Sequence, residues 1–182
     1  MQKDNLSVRE LQENDFENII DYFVLADNEF LLKLGVDTSK LPDRNEWRKL
    51  LAADFNKPND KKNMYYLIWL INGQLVGHSN INKIIFAEEA YMHLHLWNSP
   101  TRKKGLGFNF IKMSLPIYFD SFKLKKIYSE PNAFNTAPNK TLEKSGFQFE
   151  KQYQTTPGWL NFHQPVNRWC ITLQQYQSLY VS

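Results

Sequence analysis

Alternating and helical patterns of apolar residues divide the first third of the chain into a strand and helices. Residues 6–11 alternate apolar and polar side chains, which is the period of a half-buried strand. From Asn14 to Gly35 apolar residues recur at helical spacing after an acidic first turn, which predicts helical structure there. A second helix is predicted over residues 42–55, and the polar residues 56–63 are predicted to form a loop.

The clearest local signal is a β-hairpin in the middle of the chain. Residues 65–71 form a strand-like apolar run, Asn72 and Gly73 follow, and residues 74–78 begin a returning strand. An Asn-Gly pair supplies the positive φ angles that a tight two-residue turn requires. A further strand is predicted over residues 90–97.

The second half of the chain begins with a helix and ends with strands. Apolar residues after Gly107 follow one helical stripe, and Pro116 within it predicts a kink or an early end. Later elements are a short strand, a short helix and two final strands, over residues 125–131, 137–144, 147–153 and 169–173. Strands joined mostly by short turns predict an α+β fold, with a mixed and mostly antiparallel sheet flanked by helices.

The bulk composition is that of an ordinary globular protein, with 42% hydrophobic and 23% charged residues. A length of 182 residues fits one domain, so residues 1–182 are interpreted as a single domain. The net charge of +3 is too mild to indicate a nucleic-acid partner. Neither a signal peptide nor a membrane-spanning run is found, and the single Cys170 forms no internal disulfide, so we expect a cytoplasmic protein without a membrane partner.

A short glycine-rich basic segment between the predicted strand and helix offers an anion site. Arg102, Lys103 and Lys104 precede Gly105 and Gly107. Glycines allow a ligand to approach the backbone closely, and the N–H groups of a helix N-terminus point at bound anions. The alternative interpretation is a solvated basic turn, because a short glycine motif alone is weak evidence.

Two segments carry a family resemblance. Arg102-x-x-Gly105-x-Gly107 resembles the (Gln/Arg)-x-x-Gly-x-(Gly/Ala) signature of the GNAT N-acetyltransferases. The segment 135–147, which starts at Asn135 and ends Leu-Glu-Lys-Ser-Gly-Phe, resembles the second hallmark of the branch that acetylates ribosomal proteins. Both segments occur in the family's order and separation, and the resemblance spans residues 6–153.

The resemblance implies an acyltransferase that uses acetyl-CoA as co-substrate and acetylates a primary amine of a small molecule or a protein N-terminus. In this family the pantetheine arm pairs with the fourth strand and the pyrophosphate binds the glycine loop. The positions that would contact the coenzyme are the backbone at His95, Leu96 and Trp97, the loop residues Arg102, Lys103, Lys104, Gly105, Leu106, Gly107 and Phe108, and Asn135.

Candidates for the catalytic base are His93, His95 and Glu130. The two histidines alternate on one strand and therefore face the same side, and a histidine accepts a proton near neutral pH. Glu130 lies at the C-terminal end of the next predicted strand, close to the expected cleft. Each of the three has a structural alternative, as a satisfied polar group of the sheet. No third ligand accompanies the histidine pair at a suggestive spacing, so no metal is expected.

The resemblance is incomplete at one catalytic position. The tyrosine that many family members use as a general acid would fall near Thr141 or Leu142. This difference leaves open a second hypothesis, a catalytically inactive acyl-CoA-binding module of the same fold. A third, nucleic-acid binding through the basic residues at 102–104 and 123–126, is opposed by the low net charge. A homodimer is compatible with the sequence, which does not decide the oligomeric state.

Overall fold

The computed structural model describes residues 4–97 and 105–180. Its centre is a seven-stranded sheet in the order β1-β2-β3-β4-β5-β7-β6. Among these strands only β4 and β5 pair in parallel. The strands are β1 (Leu6–Glu10), β2 (Met64–Ile71), β3 (Gln74–Ile85), β4 (Glu89–Leu96), β5 (Lys126–Ser129), β6 (Gln148–Thr155) and β7 (Gln164–Thr172).

Helices cover both faces of the sheet. They are α1 (Phe16–Val24), α2 (Asn28–Lys33), α3 (Arg44–Phe55), α4 (Gly107–Phe122), α5 (Thr136–Lys144) and α6 (Leu173–Tyr180). Because side chains alternate along a strand, Ile68 packs on the α1–α3 face and its neighbour Leu67 on the α4–α6 face. The α+β class with a mixed, mostly antiparallel sheet is confirmed.

The helical pattern predicted from Asn14 to Gly35 is wrong as a single stretch. α1 ends at Val24, and α2 begins after Asp27, whose Oδ1 accepts a hydrogen bond from the Phe30 N–H at 2.7 Å. An aspartate in this position caps a new helix and so separates it from the one before. Periodicity alone does not show such a break, because the apolar spacing continues across it.

The early end predicted at Pro116 does not occur. α4 continues to Phe122 and stops at Lys123, which has a left-handed φ of 54°. Residues on both sides of the proline, including Leu115, Phe119 and Phe122, are buried in the core. Packing of this apolar stripe therefore outweighs the hydrogen bond that the proline removes.

Two boundaries near loops also differ from the sequence prediction. The last strand ends at Thr172, and Leu173 starts the helix α6, which the polar sequence there did not predict. The predicted loop at 56–63 contains one turn of 3-10 helix, Asn59–Lys61. The predicted hairpin is confirmed, since Asn72 and Gly73 have φ angles of 51° and 78°. Over the described ranges, no helix is both long and apolar enough to cross a membrane.

Candidate active site

A gap opens between β4 and β5 beyond their short ladder. Their parallel ladder stops at the pair Tyr91 and Tyr128, and beyond it the Ser129 hydroxyl donates to the Met92 carbonyl at 2.8 Å. β4 continues to Leu96 with β3 as its ladder partner. Beyond Tyr91, therefore, no strand among the described residues forms a ladder with the edge of β4 that faces away from β3.

The hydrogen-bond pattern shows which peptides of β4 face this gap. The Trp97 N–H donates to the Val76 carbonyl at 2.9 Å, so this peptide points toward β3. Peptides alternate along an antiparallel strand, and those of Leu94 and Leu96 are therefore turned toward the gap. Of the three predicted backbone positions, Leu96 is the one on the gap side, with His95 and Trp97 on either side of it.

Other residues that were predicted to contact the coenzyme lie at the start of α4. Gly105 has a φ of +67°, and apart from its chain neighbours no atom of the described residues lies within 4 Å of a Cβ built there. At Gly107, the first residue of α4, a Cβ would come within 3.1 Å of Thr141 Cγ2. Leu106 is the N-cap, and Phe108 lies in the first turn. Open space and a helix N-terminus suit a phosphate-bearing ligand. The predicted contacts Arg102, Lys103 and Lys104 lie outside the described residues.

A pocket on the α1–α3 face of the sheet joins the gap. Its lining includes His93 and His95 from β4 and the partly exposed Trp159 from the loop after β6. Register places His78 opposite His95 and Asn80 opposite His93, so β3 and β4 present four polar side chains to the same side. Aromatic and apolar side chains enclose the rest of this half of the pocket: Phe23, Trp47, Tyr66 and Leu160.

His93 carries a nitrogen with no partner. Its Nε2 is buried, and no hydrogen-bond partner exists for it among the residues that the structure describes. Burial, reinforced by the positive charge of Lys83, lowers the pKa of His93 to about 4. The ring is therefore neutral at physiological pH. The Oδ1 atom of Asn82, a second pocket-lining residue, is likewise buried and unpartnered within the described chain.

His95 belongs to a cluster of stacked and hydrogen-bonded rings. Its Nδ1 lies 3.3 Å from the Tyr22 hydroxyl, and its ring stacks on His78. The Trp97 indole donates to His78 Nδ1 at 2.8 Å, which fixes the neutral tautomer of His78 with its proton on Nε2. Burial, followed by the charge on His93, lowers the pKa of His78 to about 3. The sequence did not indicate His78 as a candidate site residue.

Glu130 lies in the pocket wall with its carboxylate already engaged. Its Oε1 accepts a hydrogen bond from the Tyr153 hydroxyl and lies 3.2 Å from Arg168 Nε. The Glu130 side chain is 3% exposed. The Arg168 guanidinium is in turn stacked over the Tyr128 ring at 4.3 Å. These contacts favour a structural role for Glu130.

Asn135 stands at the N-terminus of α5 beside the pocket. Its carbonyl accepts a hydrogen bond from Asn139 Nδ2 at 2.7 Å, and the same amide donates to the Asn132 carbonyl at 3.0 Å. Leu142 is completely buried, and the Thr141 hydroxyl donates to the Ala137 carbonyl at 2.8 Å. Neither residue offers the acid that a tyrosine would supply. In the described part of the chain, no cluster of three metal-ligating side chains occurs.

Comparison with known proteins identifies the family. A sequence model of the acetyltransferase (GNAT) domain matches residues 5–148. The chain belongs to the GNAT acetyltransferase family. It is accordingly an N-acetyltransferase whose acyl donor is acetyl-CoA, as the two signature segments implied. A search of curated proteins found no match to the sequence.

Solved structures of GNAT enzymes share the whole fold at low sequence identity. Spermidine N-acetyltransferase from Vibrio cholerae, in complex with CoA and spermine, has a TM-score of 0.77 and 18% identity, covering 94% of this chain and 97% of that one. RimL, a ribosomal-protein acetyltransferase in complex with CoA, has a TM-score of 0.75 and 15% identity, with 93% and 95% coverage. An aminoglycoside acetyltransferase in complex with CoA and kanamycin has a TM-score of 0.73 and 16% identity, with 96% and 98% coverage.

Proposed function

We propose that this GNAT enzyme acetylates a primary amine of a small molecule or of a protein N-terminus, with the amine bound beside His93 and His95. The observation that carries the proposal is the position of His93. Its Nε2, which has no hydrogen-bond partner among the described residues, lies in a pocket that opens onto the gap between β4 and β5. Acyl transfer requires the acceptor amine and the donor thioester to be held together, and both proposed sites meet at β4.

The donor side of the proposal uses the gap and the start of α4. The gap-facing peptides of β4, including that of Leu94, would pair with the pantetheine arm and polarise the thioester carbonyl. The open backbone at Gly105 and the N-terminus of α4 at Gly107 would receive the pyrophosphate. Asn135 borders the pocket where the arm would end.

On the acceptor side, the low pKa of His93 determines its role. An alkyl ammonium has a pKa near that of lysine, about 10, so giving its proton to a group with a pKa of about 4 would cost roughly 8 kcal/mol. His93 is therefore proposed to accept a hydrogen bond from an amine that is already neutral, which positions its lone pair for attack. His95, two residues along the same face and bonded to Tyr22, is proposed to receive the proton that the amine loses.

Thiol release from acetyl-CoA in the presence of an amine panel tests this function. His93→Gln should lower kcat at least tenfold while the affinity for CoA, measured by calorimetry, stays within twofold. The matched control is His163→Gln, because His163 is exposed and is not among the pocket-lining residues. Wild-type turnover in His93→Gln, in His95→Gln and in the double variant would remove both histidines from the mechanism.

A further inference from the structure

The part of the pocket proposed to bind the acceptor amine, around His93 and Trp159, carries little net charge. In the described ranges, the only carboxylate of its lining belongs to Glu130, which is engaged by Arg168 and Tyr153. In the same lining, His78 is buried and His93 is half-buried with its Nε2 atom fully covered, and the pKa of each lies well below the usual value, so both rings are neutral. A bound cation would therefore lose its hydration without gaining a free anion to replace it, which is strongly unfavourable.

The wall opposite the strands is aromatic. Phe23 and Trp47 stack with ring centroids 5.2 Å apart and planes inclined by 17°. Trp159 leans against Trp47 at 5.6 Å and remains 45% exposed, so its ring is available to a ligand. Phe23 covers one face of the Trp47 ring, so the rings pack against one another. They do not form an aromatic cage, in which several ring faces would be free to contact a cation. Such a wall suits an apolar or aromatic body.

Three buried polar atoms of the lining have no hydrogen-bond partner within the described structure. Trp47 Nε1 is a donor, Asn82 Oδ1 is an acceptor, and His93 Nε2 is an acceptor in the tautomer that carries its proton on Nδ1. Asn82 lies opposite Tyr91, so it is a diagonal neighbour of His93 on the same face, with a Cα separation of roughly 7 Å. A neutral primary amine carries two N–H donors. It would satisfy buried acceptors of this kind without bringing a charge into the pocket.

The geometry points to an acceptor with one primary amine on an uncharged aromatic or apolar body, and excludes polyamines and aminoglycosides as good substrates. This inference rests on the proposed function and narrows it to a substrate class. A polyamine would carry a second ammonium into a wall that offers no free carboxylate. An arylalkylamine would place its ring against Trp159 and its amine beside His93.

Steady-state kinetics on the full chain tests the substrate class. The value of kcat/KM for 2-phenylethylamine should exceed that for spermidine and for kanamycin at least 30-fold. Trp159→Ala should raise KM for 2-phenylethylamine about tenfold and leave KM for acetyl-CoA unchanged. Phe86→Ala is the matched control, because Phe86 is a similarly exposed aromatic residue in the turn before β4, at the opposite end of that strand from the gap. Its KM for 2-phenylethylamine should equal that of the wild type.

A charge substitution provides the reverse test. Trp159→Glu places a carboxylate where the wall has none, and should lower kcat/KM for 2-phenylethylamine while raising that for spermidine. Equal or better use of spermidine or kanamycin by the wild type would overturn the substrate class and leave the proposed acetyltransferase function intact.

Binding measured without chemistry separates the two proposals. With CoA present, 2-phenylethylamine should quench tryptophan fluorescence in the wild type at concentrations at which spermidine does not, and Trp159→Ala should weaken this binding. If that pattern is seen but no amine releases thiol, the proposed function fails and the ligand class stands. Failure of 2-phenylethylamine to bind at millimolar concentration overturns the ligand class.

Discussion

The imidazole rings of His78 and His95 stack across neighbouring strands, with centroids 4.6 Å apart and planes inclined by 23°. They are cross-strand partners in the β3–β4 ladder. His78 is 1% exposed and accepts the Trp97 indole N–H, so one ring of the stack is held neutral. The stack thus connects the candidate base His95 to a fixed, uncharged part of the sheet.

Stability should fall in mild acid because of His78 and His93. Their folded pKa values of about 3 and 4 lie below the unfolded value of 6.5. The stability they contribute is complete above pH 6.5 and is lost as pH falls toward 4, because only the unfolded chain binds protons in that window. Each should cost about 2 kcal/mol at pH 5 relative to pH 8.

Urea unfolding at pH 5 and pH 8 measures this loss. His93→Gln should show a smaller difference between the two pH values than the wild type, by about 2 kcal/mol. His163→Gln, an exposed control, should behave as the wild type. An identical pH dependence in His93→Gln and wild type would show that His93 is not held neutral.

The two pocket histidines should have different effects on the pH–rate profile. His93 has a pKa of about 4, so it stays neutral above pH 5, and His93→Gln should lower kcat without moving the acid limb. His95→Gln should lower kcat and also alter that limb, because His95 is proposed to receive the proton. Profiles from pH 5 to 9 for both variants check this assignment. An acid limb that moves only in His93→Gln would reverse the two roles.

Gly105 and Gly73 form a matched pair for the coenzyme site. Both have positive φ angles, +67° and +78°, and at both an added Cβ meets no atom of the described part of the chain within 4 Å, apart from the chain neighbours of the glycine. Gly105→Val and Gly73→Val should therefore cost similar stability, about 1–2 kcal/mol, from backbone strain. Only Gly105→Val should weaken CoA binding, by at least tenfold in calorimetry. Undiminished CoA affinity in a folded Gly105→Val variant would show that this loop is not the pyrophosphate site.

Glu130→Gln should affect stability more than turnover. The substitution removes the nearer carboxylate of the half-buried Arg168 and leaves Glu150 Oε2 at 3.9 Å, which should cost about 1–3 kcal/mol. The control Glu88→Gln breaks an exposed pair with Lys125 and should cost no more than about 0.5 kcal/mol. Urea unfolding and kcat are measured for both variants. A Glu130→Gln enzyme of normal stability but without activity would support the base role considered from the sequence.

Local rules predicted the elements whose sequence signals agree with their tertiary setting. The turn at Asn72 and Gly73, the strand carrying His93 and His95, and the helix after Gly107 are such elements. The break at Asp27 and the helix α6 were missed, because each depends on capping or docking that apolar spacing does not encode. A segment can be predicted from the sequence when its local preferences agree with its tertiary environment.

Only the part of the candidate site that lies on a single strand could be predicted from the sequence. His93 and His95 share a strand, so their common face follows from alternation alone. His78 was missed because its role depends on the β3–β4 register, which places it opposite His95, and on the Trp97 indole. The engagement of Glu130 was equally invisible, since Arg168 and Tyr153 come from β7 and β6, far along the chain.

Asn139 connects one wall of the pocket to the sheet through hydrogen bonds. Its Oδ1 accepts hydrogen bonds from the Trp169 indole at 2.8 Å and from Asn167 Nδ2 at 2.9 Å, while its Nδ2 holds the carbonyls of Asn132 and Asn135. The segment between β5 and α5 therefore cannot swing outward by itself, because its movement requires α5 to detach from β7. In deuterium exchange, the amides of residues 132–139 should open together with those of α5, as one cooperative unit and not as a fraying loop.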